Sequence, residues 1–343
     1  MKALDSENIR RIFIRSTNWI GDAVMTTPAM GRVRAAFPGA DITVAANPTV
    51  AQLLRHHPDC DRLLVYDKKG VHRGLGGLLR FCAEVRREQF DLAILFQNAI
   101  EAAIMTTLAG IPRRAGYNTD CRGFLLTHSV SGWRRARLLH HTDYYLNMLA
   151  GLGLQGGDGC LRLHCTEDEL SWAREQLSDD WWVAINPGAT YGSAKRWFPE
   201  RFAAVADELA EEFSARILLV GGPDERSIAG EVAVSMRTQP LNLAGETSVR
   251  QLMALLSRCR LLVTNDSGPM HVAAAFGIPI VAVFGSTDHT TTSPRAASCR
   301  IVRQPTECAP CLKTKCPTDH RCMTAVSAAD VLEATRNLLR GFV

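Results

Sequence analysis

Short apolar runs alternate with longer amphipathic stretches along this chain. Runs rich in Ile, Leu, Val and Phe occupy residues 12–15, 42–45, 63–66 and 92–96. Each gives way to a stretch of helical spacing, at 22–37, 50–56, 75–87 and 99–108. The alternation resumes at 182–185 and 217–220, with helical stretches at 199–213, 225–236 and 249–257. Short apolar runs bounded by turn residues read as strands buried on both faces. Strands that alternate with helices build parallel sheets covered on each side. The chain is therefore expected to be α/β, with two doubly wound, Rossmann-like parallel sheets. The break falls at a charged helical stretch, 167–180, closed by Ser178-Asp179-Asp180. It sets an N-terminal domain at 1–172 and a C-terminal domain at 173–326, expected to face each other across a cleft. A last helix, at 328–339 within the segment 327–343, is a candidate to pack back on the first domain.

The most informative stretch is 260–285, RLLVTNDSGPMHVAAAFGIPIVAVFG. A β-branched run ends abruptly at Asn265-Asp266-Ser267-Gly268-Pro269, an Ala-rich helix follows, and a second apolar run begins at Ile278. Such a turn lies at the carboxyl end of a strand and the amino end of a helix, where open α/β sheets bind anions. Ser267 and Gly268 suit the helix N-cap and Pro269 its first turn. Asp266, Ser267, Gly268 and His271 together exceed what capping alone requires.

Three more segments fall at strand ends. Arg15-Ser16-Thr17-Asn18-Trp19-Ile20-Gly21-Asp22 opens the first long helix and places a carboxylate in its first turn. Asn186-Pro-Gly-Ala-Thr190-Tyr-Gly-Ser193-Ala-Lys195-Arg196-Trp197 is Gly-rich and hydroxyl-rich, with adjacent cations. Backbone N–H groups, hydroxyls and a lysine are what a diphosphate requires. Gly221-Gly222-Pro223-Asp224-Glu225 offers close backbone approach and a carboxylate for ribose hydroxyls. A transfer that expels a nucleoside diphosphate needs a base for the acceptor and positive charge for the leaving group. Asp22 is the candidate base, and Lys195 with the helix end at Ser267–Gly268 the candidate anion holder. Gly151-Leu-Gly153-Leu-Gln-Gly156 matches a dinucleotide fingerprint but follows a helical stretch rather than a strand. It is read as a helix end and linker.

Charge changes the picture in one place. Residues 1–160 carry 20 Lys and Arg against 14 Asp and Glu, whereas 161–343 carry 19 against 21. Much of the excess is Arg113, Arg114, Arg122, Arg134, Arg135 and Arg137, opposed only by Asp120 between residues 113 and 141. Arg113, Arg114, Arg134 and Arg135 are candidate contacts for an anionic acceptor, a phosphorylated lipid or membrane face rather than nucleic acid. The N-terminal sequence lacks the apolar core of a signal peptide and no apolar run reaches the ~20 residues of a membrane span, so a cytoplasmic location is expected. The eleven cysteines are then free thiols or ligands sooner than disulfides. Cys308, Cys311, Cys316 and Cys322, with His320 among them, have metal-like density. Their second pair departs from C-x2-C spacing, and no metal is assigned. A cysteine-based, nucleotide-binding redox sensor is the alternative of a different class.

The set Asn18-Trp-Ile-Gly-Asp22 with Thr27-Pro-Ala29, Asn186-Pro-Gly-Ala, Ala194-Lys-Arg-Trp-Phe-Pro-Glu-Arg-Phe202, Val220-Gly-Gly-Pro, Asn265-Asp-Ser-Gly-Pro-Met-His271 and Phe284-Gly-Ser-Thr resembles glycosyltransferase family nine, the lipopolysaccharide heptosyltransferases, most closely their heptosyltransferase II branch. The resemblance covers nearly the whole chain. It implies a GT-B fold with acceptor in the first domain and nucleotide sugar in the second. It implies inverting transfer from ADP-L-glycero-β-D-manno-heptose to a phosphorylated heptosyl-Kdo2-lipid A core, at the cytoplasmic surface of the inner membrane, with no cofactor required. On this resemblance Asp22 is the general base and Lys195 binds phosphate. Asp266, Ser267, Gly268 and His271 form the nucleotide turn, Glu225 binds ribose, and Thr190 and Ser193 belong to the hydroxyl-bearing loop. Transfer of a different sugar, or addition of the first heptose, is the alternative within the family.

Overall fold

The computed structural model describes residue 4 and residues 8–340. Its contacts divide the chain into two compact units, one ending at His164 and the other starting at Cys165.

In the first unit the elements run β1 (Arg11–Arg15), α1 (Ile20–Ala36), β2 (Asp41–Ala46), α2 (Pro48–Leu54), β3 (Arg62–Val65), α3 (Gly74–Arg87), β4 (Leu92–Leu95), α4 (Ile100–Leu108), β5 (Arg113–Tyr117), β6 (His128–Val130), α5 (Trp133–Ala136) and α6 (His141–Gly151). The strands form one sheet in the order β3-β2-β1-β4-β5-β6, with every pair parallel. Ile12, Phe13 and Ile14 are wholly buried, as a strand covered by helices on both faces requires. The order reverses between β1 and β4, so the binding crevice of this sheet belongs at their carboxyl ends. Pro28 interrupts the hydrogen-bond ladder of α1, and the Thr27 hydroxyl donates to the Val24 carbonyl that a proline N–H cannot reach, at 2.8 Å.

The second unit runs α7 (Glu167–Gln176), β7 (Trp182–Asn186), α8 (Pro199–Phe213), β8 (Arg216–Leu219), α9 (Arg226–Ser235), β9 (Leu241–Asn242), α10 (Val249–Arg258), β10 (Leu261–Asn265), α11 (Gly268–Ala275), β11 (Ile280–Val283), α12 (His289–Thr292), β12 (Cys299–Val302), α13 (Arg321–Thr324) and α14 (Ala328–Leu339). Its sheet has the order β12-β11-β10-β7-β8-β9, again all parallel. Here the reversal falls between β7 and β10. Trp197 anchors the core, edge-on to Phe202 at 5.0 Å, with its indole N–H on the Val326 carbonyl at 3.0 Å.

Two expectations about the domains change. Helix α7 packs on α10, and Arg250 of α10 grips the Glu169 carboxylate with two nitrogens, Nε at 2.7 Å. The unit boundary therefore lies before α7, at 164/165, and not at 172/173. Helix α14 packs on α8, β11 and β12, so the last helix, expected on the first domain, belongs to the second unit. The glycine-rich stretch behaves as a helix end: Gly153 has φ +84° and its N–H bonds the Ala150 carbonyl just beyond α6.

Candidate functional site

The structure brings the sequence-predicted residues, Arg113 and Arg114 excepted, to the carboxyl edges of the two sheets, one group in each unit. In the first unit, β1 delivers the turn at residues 16–19 and then α1. Arg15, fully buried, shapes this turn. Its guanidinium donates to the carbonyls of Ser16 (2.8 Å) and Ala45 (3.1 Å) and to Asn18 Oδ1 (3.2 Å), and stacks 5.6 Å over the Tyr66 ring. Burial pushes its pKa down to about 10, against the opposing charges of Glu101 and Tyr66. Asp22 sits in the first turn of α1, where the helix dipole favours a carboxylate. His141, at the start of α6, places Nδ1 3.4 Å from Asp22 Oδ1, both side chains partly exposed. Tyr145, one turn on, is buried, and its hydroxyl is pushed far up by burial and then by the Asp22 charge. The buried hydroxyls of Ser16 and Thr17 have no hydrogen-bond partner among the described residues.

The four candidate arginines separate. Arg134 and Arg135 lie on α5, which follows the carboxyl end of β6, the edge that carries Asp22. Arg113 and Arg114 open β5 and pair in register with Leu92 and Ala93 at the start of β4. They lie at the amino edge, the wrong end of the sheet for Asp22. Arg114 is spent on the carbonyls of Leu125 (2.7 Å) and Ile111 (2.6 Å). The sequence counts charge but does not reveal that a strand runs between these two pairs. Arg122 is structural: wholly buried, it bonds the Tyr117 carbonyl at 2.8 Å and the Gln97 carbonyl, and burial pushes its pKa down to about 10. A 410 Å³ pocket lined by Arg86, Phe90, Gly110 and Pro112 also opens at the amino edge.

In the second unit, β7 and β10 end side by side and their terminal residues build one network. Asn186 Oδ1 accepts from Ser267 Oγ (2.6 Å) and Thr264 Oγ1 (3.2 Å). Asn265 pins the loop at residues 187–197, accepting from the Trp197 N–H (3.0 Å) and donating to the Pro187 carbonyl (2.8 Å). Lys195 Nζ is thereby held 2.7 Å from Asp266 Oδ2, both side chains largely buried. Thr287 Oγ1 donates to the same oxygen at 2.7 Å, and Nζ lies 5.0 Å over the Tyr191 ring. Ser267 occupies the N-cap position of α11, yet its hydroxyl turns to Asn186 and Thr264 and makes no cap bond. The first-turn N–H groups of α11 are therefore not capped by it, which suits an anion. His271 is buried in the same turn.

Glu225 is buried against Gly188, where a Cβ would stand 2.2 Å from the Glu225 carboxyl carbon, so any larger residue at 188 would displace that carboxylate. Its Oε2 accepts the Gly222 N–H at 2.8 Å. Burial raises its pKa, opposed by that N–H, by Arg196 and by a hydrogen bond with Thr190. Thr190 and Glu225 are thus brought together; Ser193 opens the short 3-10 turn that carries Lys195. The cysteine segment buttresses this loop. The Ala194 N–H bonds the Thr314 carbonyl (3.1 Å), His320 Nε2 lies 3.0 Å from the Ala194 carbonyl, and Tyr191 OH donates to the Leu312 carbonyl (3.1 Å). Cys308, Cys311, Cys316 and Cys322 are free thiols, and among the described residues no three Cys, His, Asp or Glu side chains are grouped to share an ion. His141 and Thr287 were missed by sequence reasoning. His141 carries no local motif, and Thr287 lies in the quoted Phe284-Gly-Ser-Thr segment without a role attached to it.

Two doubly wound sheets, each with its polar residues at a strand-order reversal, make a pair of nucleotide-binding-type units, and comparison with known proteins gives the class. The model of glycosyltransferase family 9 (heptosyltransferase) matches residues 78–321, and the chain belongs to that family. Lipopolysaccharide heptosyltransferase 2 of Escherichia coli K12 is 28% identical over 313 residues, covering 85% of this chain and 88% of the relative. The crystal structure of a family 9 glycosyltransferase from Veillonella parvula superposes with a TM-score of 0.89 at 27% identity, covering 99% of this chain and all of the other. The structure of E. coli ADP-heptose lps heptosyltransferase II gives 0.83 at 26% identity, with 96% and 99% covered. The protein is a glycosyltransferase of GT-B class.

Proposed function

We propose that this enzyme transfers heptose from ADP-L-glycero-β-D-manno-heptose to the heptosyl-Kdo2-lipid A inner core, with inversion at the anomeric carbon. The observation that carries the reading is the Lys195–Asp266–Thr287 cluster beside the start of α11, whose N-cap side chain makes no cap bond; it combines positive charge, hydroxyls and a helix N-terminus where a sugar diphosphate needs them. The relatives named heptosyltransferase 2 support the step, and the similar E. coli structure named for ADP-heptose supports the donor.

In a single displacement the acceptor oxygen bonds to C1 of the heptose as the C1–O bond to the β-phosphate breaks. Asp22 takes the acceptor proton, and ADP departs with its charge held by Lys195 and the N–H groups at Ser267 and Gly268. Thr190, Ser193 and Glu225 bind the nucleoside part, and Asp266 and His271 orient the turn. Arg134 and Arg135 attract the phosphorylated core. No cofactor is needed in this scheme, and the setting is the cytoplasmic face of the inner membrane. Among the described residues no helix is long and apolar enough to cross a membrane.

Thermal unfolding with a panel of nucleotide sugars tests the donor. ADP-heptose and ADP should raise the midpoint selectively, and selectivity for UDP-sugars would overturn the reading. Transfer to heptosyl-Kdo2-lipid A but not to Kdo2-lipid A would fix the step. Asp22→Ala should lower turnover about 10²–10⁴-fold with donor-induced stabilisation intact; near-normal transfer by that variant removes Asp22 from the mechanism.

A further inference from the structure

Two segments of the first unit leave the sheet at the edge that carries Asp22, one after β3 and one after β6, the outermost strands of the six. Both combine exposed aliphatic side chains with clustered positive charge. After β3, Val71 (64% exposed), Leu75 (72%) and Leu79 (50%) point to solvent beside exposed Lys69 and Arg73. After β6, Leu138 (70%) and Leu139 (40%) do so beside exposed Arg134, Arg135 and Arg137. The chain has no Asp or Glu between Lys68 and Ala83, or between Cys121 and Thr142.

Neither segment is a loose loop. Asp67 accepts the N–H groups of Lys69 (3.1 Å) and Gly70 (2.9 Å). The His72 N–H returns to the Asp67 carbonyl (2.8 Å), and the His72 ring is buried against Tyr66 and Phe81. Val71 is therefore held outward at the tip of a closed turn. Gly77 lacks the Cβ that would strike the His72 backbone, so α3 starts tight against that turn with Leu75 and Leu79 one helical turn apart on its outer side. In the other segment Ala136 is buried, and the guanidinium groups of Arg134 and Arg137 rest on the Trp133 ring at 5.7 and 5.9 Å. An aromatic, cations and leucines in one short turn have the composition of an interfacial anchor.

We propose that these two segments form a two-point docking face for an anionic lipid bilayer. Five strand spacings separate β3 from β6, about 24 Å, so a flat surface can touch both while the turn after β1 lies between them. Scattered exposed leucines need no explanation, but five aliphatic side chains on one sheet edge, in stretches of sequence that hold several cations and no Asp or Glu, are unusual for a free surface. Negative lipid headgroups complement the arginines, and the leucines reach the acyl boundary. The inference rests on the proposed reading in one respect, since a lipid acceptor explains why the base should lie near a membrane.

The test uses the full chain and flotation with acceptor-free vesicles, so that failure of the heptosyltransfer reading, seen in the nucleotide panel, leaves it untouched. Vesicles of phosphatidylcholine with phosphatidylglycerol should carry the protein, and phosphatidylcholine alone should not; added salt should weaken binding. Leu75→Ser with Leu79→Ser, and Leu138→Ser with Leu139→Ser, should each weaken partitioning about tenfold or more. Lys69→Glu with Arg73→Glu should do the same. The leucine variants should keep the thermal midpoint and turnover on a delipidated acceptor. Failure to bind anionic vesicles, or binding that survives both leucine pairs, overturns the proposal. So does concentration-dependent self-association lost with the same leucines, which would make the face a contact between copies.

Discussion

Lys195 and Asp266 give this site an internal tension. The lysine expected to hold phosphate is already paired, at 2.7 Å, with the carboxylate expected to border the nucleotide. Removing one partner of a buried pair strands the other charge, so Lys195→Ala should cost about 3 kcal/mol of stability as well as activity. Adding Asp266→Asn should recover most of the stability and none of the turnover. Denaturant unfolding and kinetics on the single and double variants separate the two effects, and full additivity in stability would show that the pair is not coupled. Glu225 makes a pH-dependent prediction. Burial raises its pKa above the ordinary 4.5, so the folded protein keeps the proton where the unfolded chain releases it. Stability therefore falls as pH climbs from that ordinary value toward the raised one, then levels. Glu225→Gln lacks this loss, and its unfolding midpoint should gain on the wild type as pH rises from 4.5; a gap that narrows in the opposite sense refutes the assignment. The strand-end motifs were legible because hydroxyls, glycines and charges crowd into short turns there. The partners that hold them were not, because Thr287 and His141 reach the site through tertiary contact alone.

At the scale of elements, the loop at residues 187–197 is rigid by contact more than by its own structure. Asn265 pins it from within the sheet, and the cysteine segment closes it from outside. Gly192 is where the two segments touch: a Cβ there would stand 2.2 Å from the Thr314 carbonyl oxygen, a backbone atom that no rotamer change can move. Gly192→Ala should push the loop off its support at a cost of about 1–3 kcal/mol and weaken ADP binding about tenfold or more. Calorimetric titration checks it, and unchanged affinity would mean that the buttress is idle. The same dependence on contact explains which elements sequence reading found. Long apolar strands such as β1, β4 and β10 announce themselves. By contrast β5 opens on Arg113-Arg114, β6 is three residues, and β9 and β12 are edge strands only partly buried. Their pairing partners make them strands, and without β5 the direction in which Arg113 and Arg114 lie could not be read.

Across the whole molecule, the boundary between the units decides what each can do alone. The charged stretch at 167–180 looks like a linker by composition, and cutting after 172 would keep half of it with the first unit. In the structure α7 is capped by Thr166 and its box partner Glu169, and that same glutamate holds Arg250, whose side chain is almost wholly buried. Charge in this helix therefore serves the second unit's packing. A second unit expressed from Cys165 should unfold cooperatively and still be stabilised by ADP, because β7, β10, α11 and the cysteine segment are all within it. A version starting at 173 loses Glu169 and leaves a guanidinium in the core without its carboxylate, at a cost of about 3 kcal/mol. That version should unfold several degrees lower, and in the longer piece Glu169→Ala should reproduce most of the difference. Equal midpoints for the two pieces would show that α7 is a passive linker after all.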